Sequence, residues 1–184
     1  PNEPICSCIS INVGGFKSKE CFPEFIANII KKHDIISVSE SKLSDTDTVY
    51  VEGYTSFYKN RSKFKRRSGG VLVLIKNCYL PHVRIYEEDC CKNKIDKSII
   101  DYYTFVNFAL SKNTLIFSLD DAILRKQTLF FSVYIEPENS PYFNRQVYDE
   151  LQSILSNFNF ESVCLFGDFN SRSGNLNELL PLNE

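Results

Sequence analysis

The first forty residues constrain the fold most. Two β-rich runs, residues 5–13 and 35–39, enclose a segment in which Phe22, Phe25, Ile26, Ile29 and Ile30 recur at helical spacing. Lys31 and Lys32 stand near the C-terminal end of that segment, where they suit the helix dipole. Gly14-Gly15 stops the first run and Asp34 opens the second. This is a β-α-β pattern, with a right-handed crossover expected if the two strands are parallel. In open α/β sheets ligands gather at the carboxyl ends of strands, so the residues at those ends are the first to read for function.

Three strand ends carry a polar residue: Asn12, Glu40, and the pair Asp168 and Asn170. The last pair follows a short apolar run, residues 163–166, which reads as a buried strand ended by Gly167. In extended backbone, residues two apart share a side, so the Asp168 carboxylate and the Asn170 amide can face one ligand. A carboxylate is a hard oxygen ligand for Mg²⁺ or Mn²⁺, or an orienter of water, and an Asn can hold a phosphate oxygen or the nucleophile. Gly, Asp, Asn and Ser also spell an ordinary turn, and alone these four residues favour the turn. Taken together, the three ends form a set that could hold a divalent cation and position water for attack on phosphorus. Tyr134 ends a fourth strand and could donate to a phosphate oxygen, although on its own it reads more readily as a half-buried strand aromatic.

Between these points the pattern gives further strands at residues 49–58, 71–76, 83–86, 99–110, 114–119 and 128–135. Pro81 marks a turn, and Glu87-Glu88-Asp89 and Asp120-Asp121 read as solvated corners. Ser140 suits an N-cap and Pro141 a first helical position. Phe143, Val147, Leu151, Ile154, Leu155 and Phe158 then line one face of a helix running to about Asn157. There is no internal repeat or low-complexity linker. The expectation is one mixed α/β domain over residues 1–184, its sheet interrupted by hairpins.

With 21 Lys+Arg against 23 Asp+Glu, the charge is too balanced for a histone-like DNA binder, although a local basic strip remains open. No apolar run approaches the roughly twenty residues of a membrane span. The absence of Met implies a piece cut from a longer reading frame. Seven Cys are an odd number without repeating spacing, and neither His lies near a Cys pair at zinc-finger spacing. Reduced thiols in an intracellular compartment, nuclear or cytoplasmic, are the expectation.

Five blocks, Ser10-Ile11-Asn12-Val13-Gly14-Gly15, Asp34 through Leu43, Gly69-Gly70-Val71-Leu72-Val73, Val133-Tyr134-Ile135-Glu136-Pro137 and Gly167-Asp168-Phe169-Asn170-Ser171-Arg172-Ser173-Gly174, occur in an order that resembles the endonuclease/exonuclease/phosphatase superfamily. The Tyr-Ile-x-Pro and Gly-Asp-Phe-Asn-x-Arg-x-Gly forms are similar to the apurinic-type endonuclease domain of non-LTR retrotransposons. The resemblance implies a four-layer α/β/β/α sandwich, incomplete at its C-terminus. It implies Mg²⁺-dependent (or Mn²⁺-dependent) phosphodiester hydrolysis, nicking target DNA to prime a linked reverse transcriptase in a longer polyprotein. Glu40 would be the main metal-binding carboxylate, Asn12 would help orient the metal and the scissile phosphate, and Tyr134 would contact that phosphate. Asp168 would orient or activate water, and Asn170 would hold the phosphate or the nucleophile. Arg61, Lys63, Lys65, Arg66, Arg67 and Arg172 would lie against the DNA backbone, although the basic segment in isolation reads more readily as a solvated loop.

The chain departs from that pattern at three places. The family's later Asp and Ser-Asp-His block are missing, and the two histidines, His33 and His82, read as a helix-end residue and a turn residue. Gly14 stands where much of the family has an Asn or Asp that supports the metal. Residues 90–126 match no block and read as a lineage-specific insertion. A catalytically dead remnant or binding module of the same fold, or a phosphatase or nuclease of another branch, therefore stands beside the first reading. The missing segment should supply sheet neighbours for residues 128–135 and 163–166. Residues 1–184 alone are accordingly expected to be inactive and marginally stable, and metal-dependent plasmid nicking by that piece would contradict this.

Overall fold

The computed structural model describes residues 6–20, 23–44, 46–60, 69–86, 114–157 and 160–170. Their strands form two four-stranded sheets. In the first, β1 (Cys8–Asn12), β2 (Ile35–Ser39), β3 (Tyr54–Lys59) and β4 (Val71–Lys76) lie in the order β1-β2-β4-β3. The second runs in sequence order: β5 (Val83–Tyr86), β6 (Thr114–Leu119), β7 (Thr128–Tyr134) and β8 (Ser162–Asp168). The predicted β-α-β opening is present, because β1 and β2 pair in parallel with Asn12 opposite Ser39. The β7–β8 pair is also parallel, with Tyr134 opposite Asp168. The expected strands at 99–110 and the corner at 87–89 lie outside the described residues, as do Phe22 and Phe158.

The period of two along each strand sorts side chains into layers. Ile35, Val71, Val73 and Ile75 of the first sheet meet Leu115, Phe117, Leu119 and Phe130 of the second. Phe117 stacks on Phe130 with centroids 4.9 Å apart, and Phe166 presents its edge to both. The alternate residues point outward: Ile36, Val38, Leu72 and Leu74 pack under Phe16, Phe25, Ile26 and Ile30 of the N-terminal helical layer. On the other side Ile116, Leu129, Phe131 and Val133 pack under Val147, Tyr148 and Leu151. These belong to the helix Gln146–Asn157. Burial of these side chains contributes about 1.5–3 kcal/mol each before entropy is subtracted. The result is the expected α/β/β/α layering.

Several local expectations are corrected. The single helix expected around Phe25 to Ile30 is divided into α1 (Lys17–Glu20), α2 (Pro23–Asn28) and a 3₁₀ turn Ile30–Lys32. The His33 N–H donates to the Ile30 carbonyl, and the Tyr54 hydroxyl donates to the Ile30 and His33 carbonyls, so the chain tightens there instead of continuing. The strand expected over 49–58 begins only at Tyr54, because Gly53 turns at φ 85°. Pro81 does mark a turn as expected, inside the 3₁₀ segment Asn77–His82. Asp120 caps a short helix, α3 (Asp121–Leu124), by accepting from the Ala122 N–H, so Asp120-Asp121 is more than a solvated corner. The long helix, α4 (Gln146–Asn157), starts later than Ser140-Pro141 predicted. Ser140 closes a turn by accepting from the Tyr142 N–H, and Asn144 accepts from the Gln146 N–H at the true start. Leu155 is 36% exposed and leaves the buried face.

Gly167 lies within β8 and does not end it. Its φ is 141°, and a Cβ built there would overlap the Val133 carbonyl of the neighbouring strand. Only glycine fits that approach. The fear that residues 128–135 would lack sheet neighbours is also corrected, since β7 pairs with β6 on one side and β8 on the other. β1, β3, β5 and β8 are the edges among the described strands.

The end of the first sheet away from Asn12 is clamped by Asp34. Its carboxylate accepts from the Ser7 N–H at 2.8 Å, the Ser7 hydroxyl at 2.9 Å and the Lys76 ammonium at 2.7 Å. Burial works against the charged form, but these donors outweigh it and hold the Asp34 carboxyl below its ordinary value. A depressed carboxylate stabilises the fold above its unfolded-state pKa of about 4 and loses that contribution as pH falls through the lower folded value. Asp34→Asn is therefore expected to cost about 1.5–3 kcal/mol at pH 7, with the gap to wild type narrowing near pH 3. Denaturant unfolding at the two pH values measures it, and an equal gap at both would contradict the assignment.

Candidate active site

The strand ends that the sequence singled out lie at one end of both sheets. β1 and β2 run in parallel and deliver Asn12 and, just past Ser39, Glu40. β7 and β8 run in parallel in the other sheet and deliver Tyr134 and Asp168 as cross-strand partners. Two hydrogen bonds then join the sheets. The Asn12 amide donates from Nδ2 to Asp168 Oδ2 at 2.7 Å, and the Tyr134 hydroxyl donates to Glu40 Oε1 at a longer 3.4 Å. Four residues from four strand ends thus form one constellation. Ser10, Asn12, Ser39, Gly167, Asp168, Phe169 and Asn170 line an open cleft of about 450 Å³ beside it.

Asp168 is held firmly. Its Oδ2 takes the Asn12 amide and its Oδ1 takes the Asn170 backbone N–H at 3.1 Å. An ionised carboxylate offers about four acceptor positions, so capacity remains for a water or hydroxyl proton. Asn12 is fixed from both sides, because its Oδ1 accepts from the Gly14 N–H at 3.0 Å. Tyr134 is 3% exposed. Burial first, then the negative charges of Glu40, Glu136 and Asp168, pushes its phenol far above the ordinary tyrosine value. The phenol therefore stays protonated and can donate a hydrogen bond at neutral pH.

Asn170 corrects the extended-backbone argument. Its φ is 42°, a left-handed turn conformation, and its Nδ2 donates to the Ile135 carbonyl at 2.8 Å. The turn signalled by the residue types is real and belongs to the site. The Asn170 side chain braces the two strand ends, and its backbone N–H serves Asp168. Glu40 and Lys42 also have positive φ, 51° and 53°. Such conformations cost about 1 kcal/mol or more for ordinary residues and persist where surrounding bonds impose them. Here the Ser41 and Lys42 N–H groups donate to the Gly70 and Gly69 carbonyls, and the Phe16 N–H donates to the Ser41 carbonyl.

Lys42 is the residue that the sequence reading passed over. Its ammonium lies 3.6 Å from Glu40 Oε2, which makes it the cation of the constellation among the described residues. The signal was the Glu-Ser-Lys spacing, where a doubly left-handed turn puts residues 40 and 42 together. His33 and His82 lie before β2 and β5, at the opposite end of the sheets, and His82 pairs with Asp120 at 2.9 Å. Arg61, Lys63, Lys65, Arg66, Arg67 and Arg172 lie outside the described residues.

Among the described residues no three His, Cys, Asp or Glu side chains form a group able to hold a metal ion by themselves. The donor set fits a different kind of centre. Mg²⁺ binds through one or two carboxylates and completes its shell with water and substrate oxygens. Glu40 and Asp168 are hard oxygen donors of that kind. The four free cysteines among the described residues, Cys6, Cys8, Cys78 and Cys164, take no part in the constellation.

No family model matches the sequence, and no curated protein matches it. Solved structures do resemble the fold. The catalytic domain of APE2 from Xenopus laevis superimposes with a TM-score of 0.63 at 17% identity, over 90% of this chain and 58% of that one. The AP endonuclease LMAP from Leishmania major gives 0.56 at 18% identity, over 79% and 46%. The Neisseria 3′ phosphatase NExo, solved with a product DNA hairpin, gives 0.51 at 13% identity, over 90% and 58%. The chain thus spans about half the length of the structures it resembles. Two face-packed sheets between helical layers, superimposable on these proteins, give this chain the endonuclease/exonuclease/phosphatase fold.

Proposed function

We propose that this chain carries the nucleolytic centre of a DNA-nicking, divalent-cation-dependent endonuclease of the non-LTR retrotransposon type. The observation that carries the reading is the joining of Asn12 to Asp168 and of Tyr134 to Glu40 across the two sheets. In this reading the domain covers residues 1–184 of a longer protein with a linked reverse transcriptase, and target-site duplex DNA is the substrate. The retroelement branch is supported by the Tyr-Ile-x-Pro and Gly-Asp-Phe-Asn-x-Arg-x-Gly forms at Tyr134 and Asp168.

Glu40, aided by Asn12, would hold Mg²⁺ or Mn²⁺, which supplies Lewis-acid polarisation of a phosphoryl oxygen when bound. Asp168, fixed by Asn12 and by the Asn170 N–H, orients an attacking water and accepts its proton. Tyr134 remains protonated and donates to a non-bridging phosphate oxygen, where negative charge grows during attack. Asn170 keeps the ends of β7 and β8 in register through the Ile135 carbonyl. Asn12 sets the separation between Asp168 and the cation side of the site.

The experiment is plasmid nicking by the protein expressed from its full reading frame. Glu40→Gln and Asp168→Asn are each expected to lower the rate by about 10²–10⁴-fold, and chelation of divalent cations to abolish it. Equal nicking by wild type and Glu40→Gln would remove the cation site from Glu40. A folded full-length protein that binds DNA and never nicks it would favour the silent remnant, the reading that Gly14 supports.

A further inference from the structure

Lys42 has no part in the reading above, yet its charge is aimed at the carboxylate that the reading gives to the cation. Its stem runs over Gly14 and Gly15. A Cβ at Gly15 would lie 3.6 Å from Lys42 Cδ, and one at Gly14 would lie 4.0 Å from the Nζ. Both are ordinary van der Waals distances, so the side chain passes alongside the two glycines. The backbone beneath it is held in place, because residues 40 and 42 are both left-handed and the Ser41 and Lys42 N–H groups donate to the Gly70 and Gly69 carbonyls. The ammonium ends 3.6 Å from Glu40 Oε2, with the two side chains 33% and 25% exposed. Oε1 of the same carboxylate takes the Tyr134 hydroxyl. Both oxygens of Glu40 are thus engaged, one by a phenol and one by a cation.

We infer that Lys42 is a built-in competitor for the cation at Glu40, a positioning residue that sets how tightly the site binds a divalent ion. The inference rests on the assignment of Glu40 above. Two positive charges cannot share one carboxylate at contact distance without repulsion, and a partly buried pair is screened less than one in open water. An incoming dication therefore has to push the ammonium off Oε2. The displaced ammonium remains within its own stem length of the cleft, where a substrate phosphate is its natural partner. Cation and phosphate together would then be favoured over the cation alone.

The test is Mn²⁺ binding to the 184-residue chain, read by the electron paramagnetic resonance signal of free Mn²⁺, with no substrate and no turnover. Lys42→Met keeps the stem and removes the charge. It is expected to bind Mn²⁺ about three- to tenfold more tightly than wild type, a difference that shrinks as salt rises. Lys42→Arg keeps the charge and is expected not to tighten binding. Thermal unfolding without metal reports whether either variant still folds. If Lys42→Met binds Mn²⁺ no more tightly than wild type while Glu40→Gln loses it, the competitor role is overturned and the assignment of Glu40 stands. Equal tightening by Lys42→Met and Lys42→Arg overturns it as well, since charge would not be the cause. If Glu40→Gln binds Mn²⁺ as wild type does, the cation is elsewhere and both readings fall.

Discussion

The face-to-face packing of the two sheets is the constraint on which everything else depends. Asn12 and Glu40 come from one sheet and Tyr134 and Asp168 from the other, so their meeting is set by how the sheets sit on each other. That register is fixed by the aromatic and aliphatic layer of Phe117, Phe130 and Phe166 against Ile35, Val71, Val73 and Ile75. A buried hydrogen bond between the Ser37 and Ser132 hydroxyls, 2.6 Å long, pins the sheets at mid-strand. The hydroxyls satisfy each other in a layer that water does not reach, so a slip of either sheet would leave both unpaired. The same sheet contact that supplies the core thereby sets the distances in the site.

Within the second sheet, the close approach of Gly167 to Val133 does comparable work. It lets β8 continue to Asp168 directly beside Tyr134, so the carboxylate and the phenol share one edge. Past Asp168 the chain must leave the sheet at once, and Asn170 makes that turn in a left-handed conformation while bonding back to Ile135. Apart from Arg125, the non-glycine residues with positive φ among the described residues are Glu40, Lys42 and Asn170, and hydrogen bonds to neighbouring segments offset their strain. Side chains on rigid strand ends, followed by strained and braced turns, are what a site needs if its atoms are to stay within fractions of an ångström.

Much of this was legible in the sequence. The opening β-α-β, the strands at Ile35, Val71, Thr114 and Thr128, and the four polar strand-end positions follow from period, glycine punctuation and residue type. The site residues were found because each ends an apolar run, which is a local signal. What failed was either cooperative or conformational. The break between α2 and the 3₁₀ turn depends on Tyr54, more than twenty residues away, taking the helix-end carbonyls. The late start of α4 depends on Asn144 outcompeting Ser140 as a cap, although both residues suit that role. Asn170 does line the same cleft as Asp168, but from a left-handed turn and not from extended backbone. Lys42 escaped notice because the left-handed turn that sets it beside Glu40 is held by the Gly69 and Gly70 carbonyls, which lie far away in sequence.

The central claim is that residues from two sheets form one cation-binding phosphodiester site. The most direct measurement is an NMR titration of the isotope-labelled chain with substoichiometric Mn²⁺, following paramagnetic broadening residue by residue. The account predicts that the amides of Asn12, Glu40, Gly70, Ile135 and Asp168 broaden first and together, and that Glu40→Gln removes the pattern. Broadening that begins instead around the surface acidic residues Glu52, Asp120 and Asp121, with the two sheet ends untouched, would contradict it.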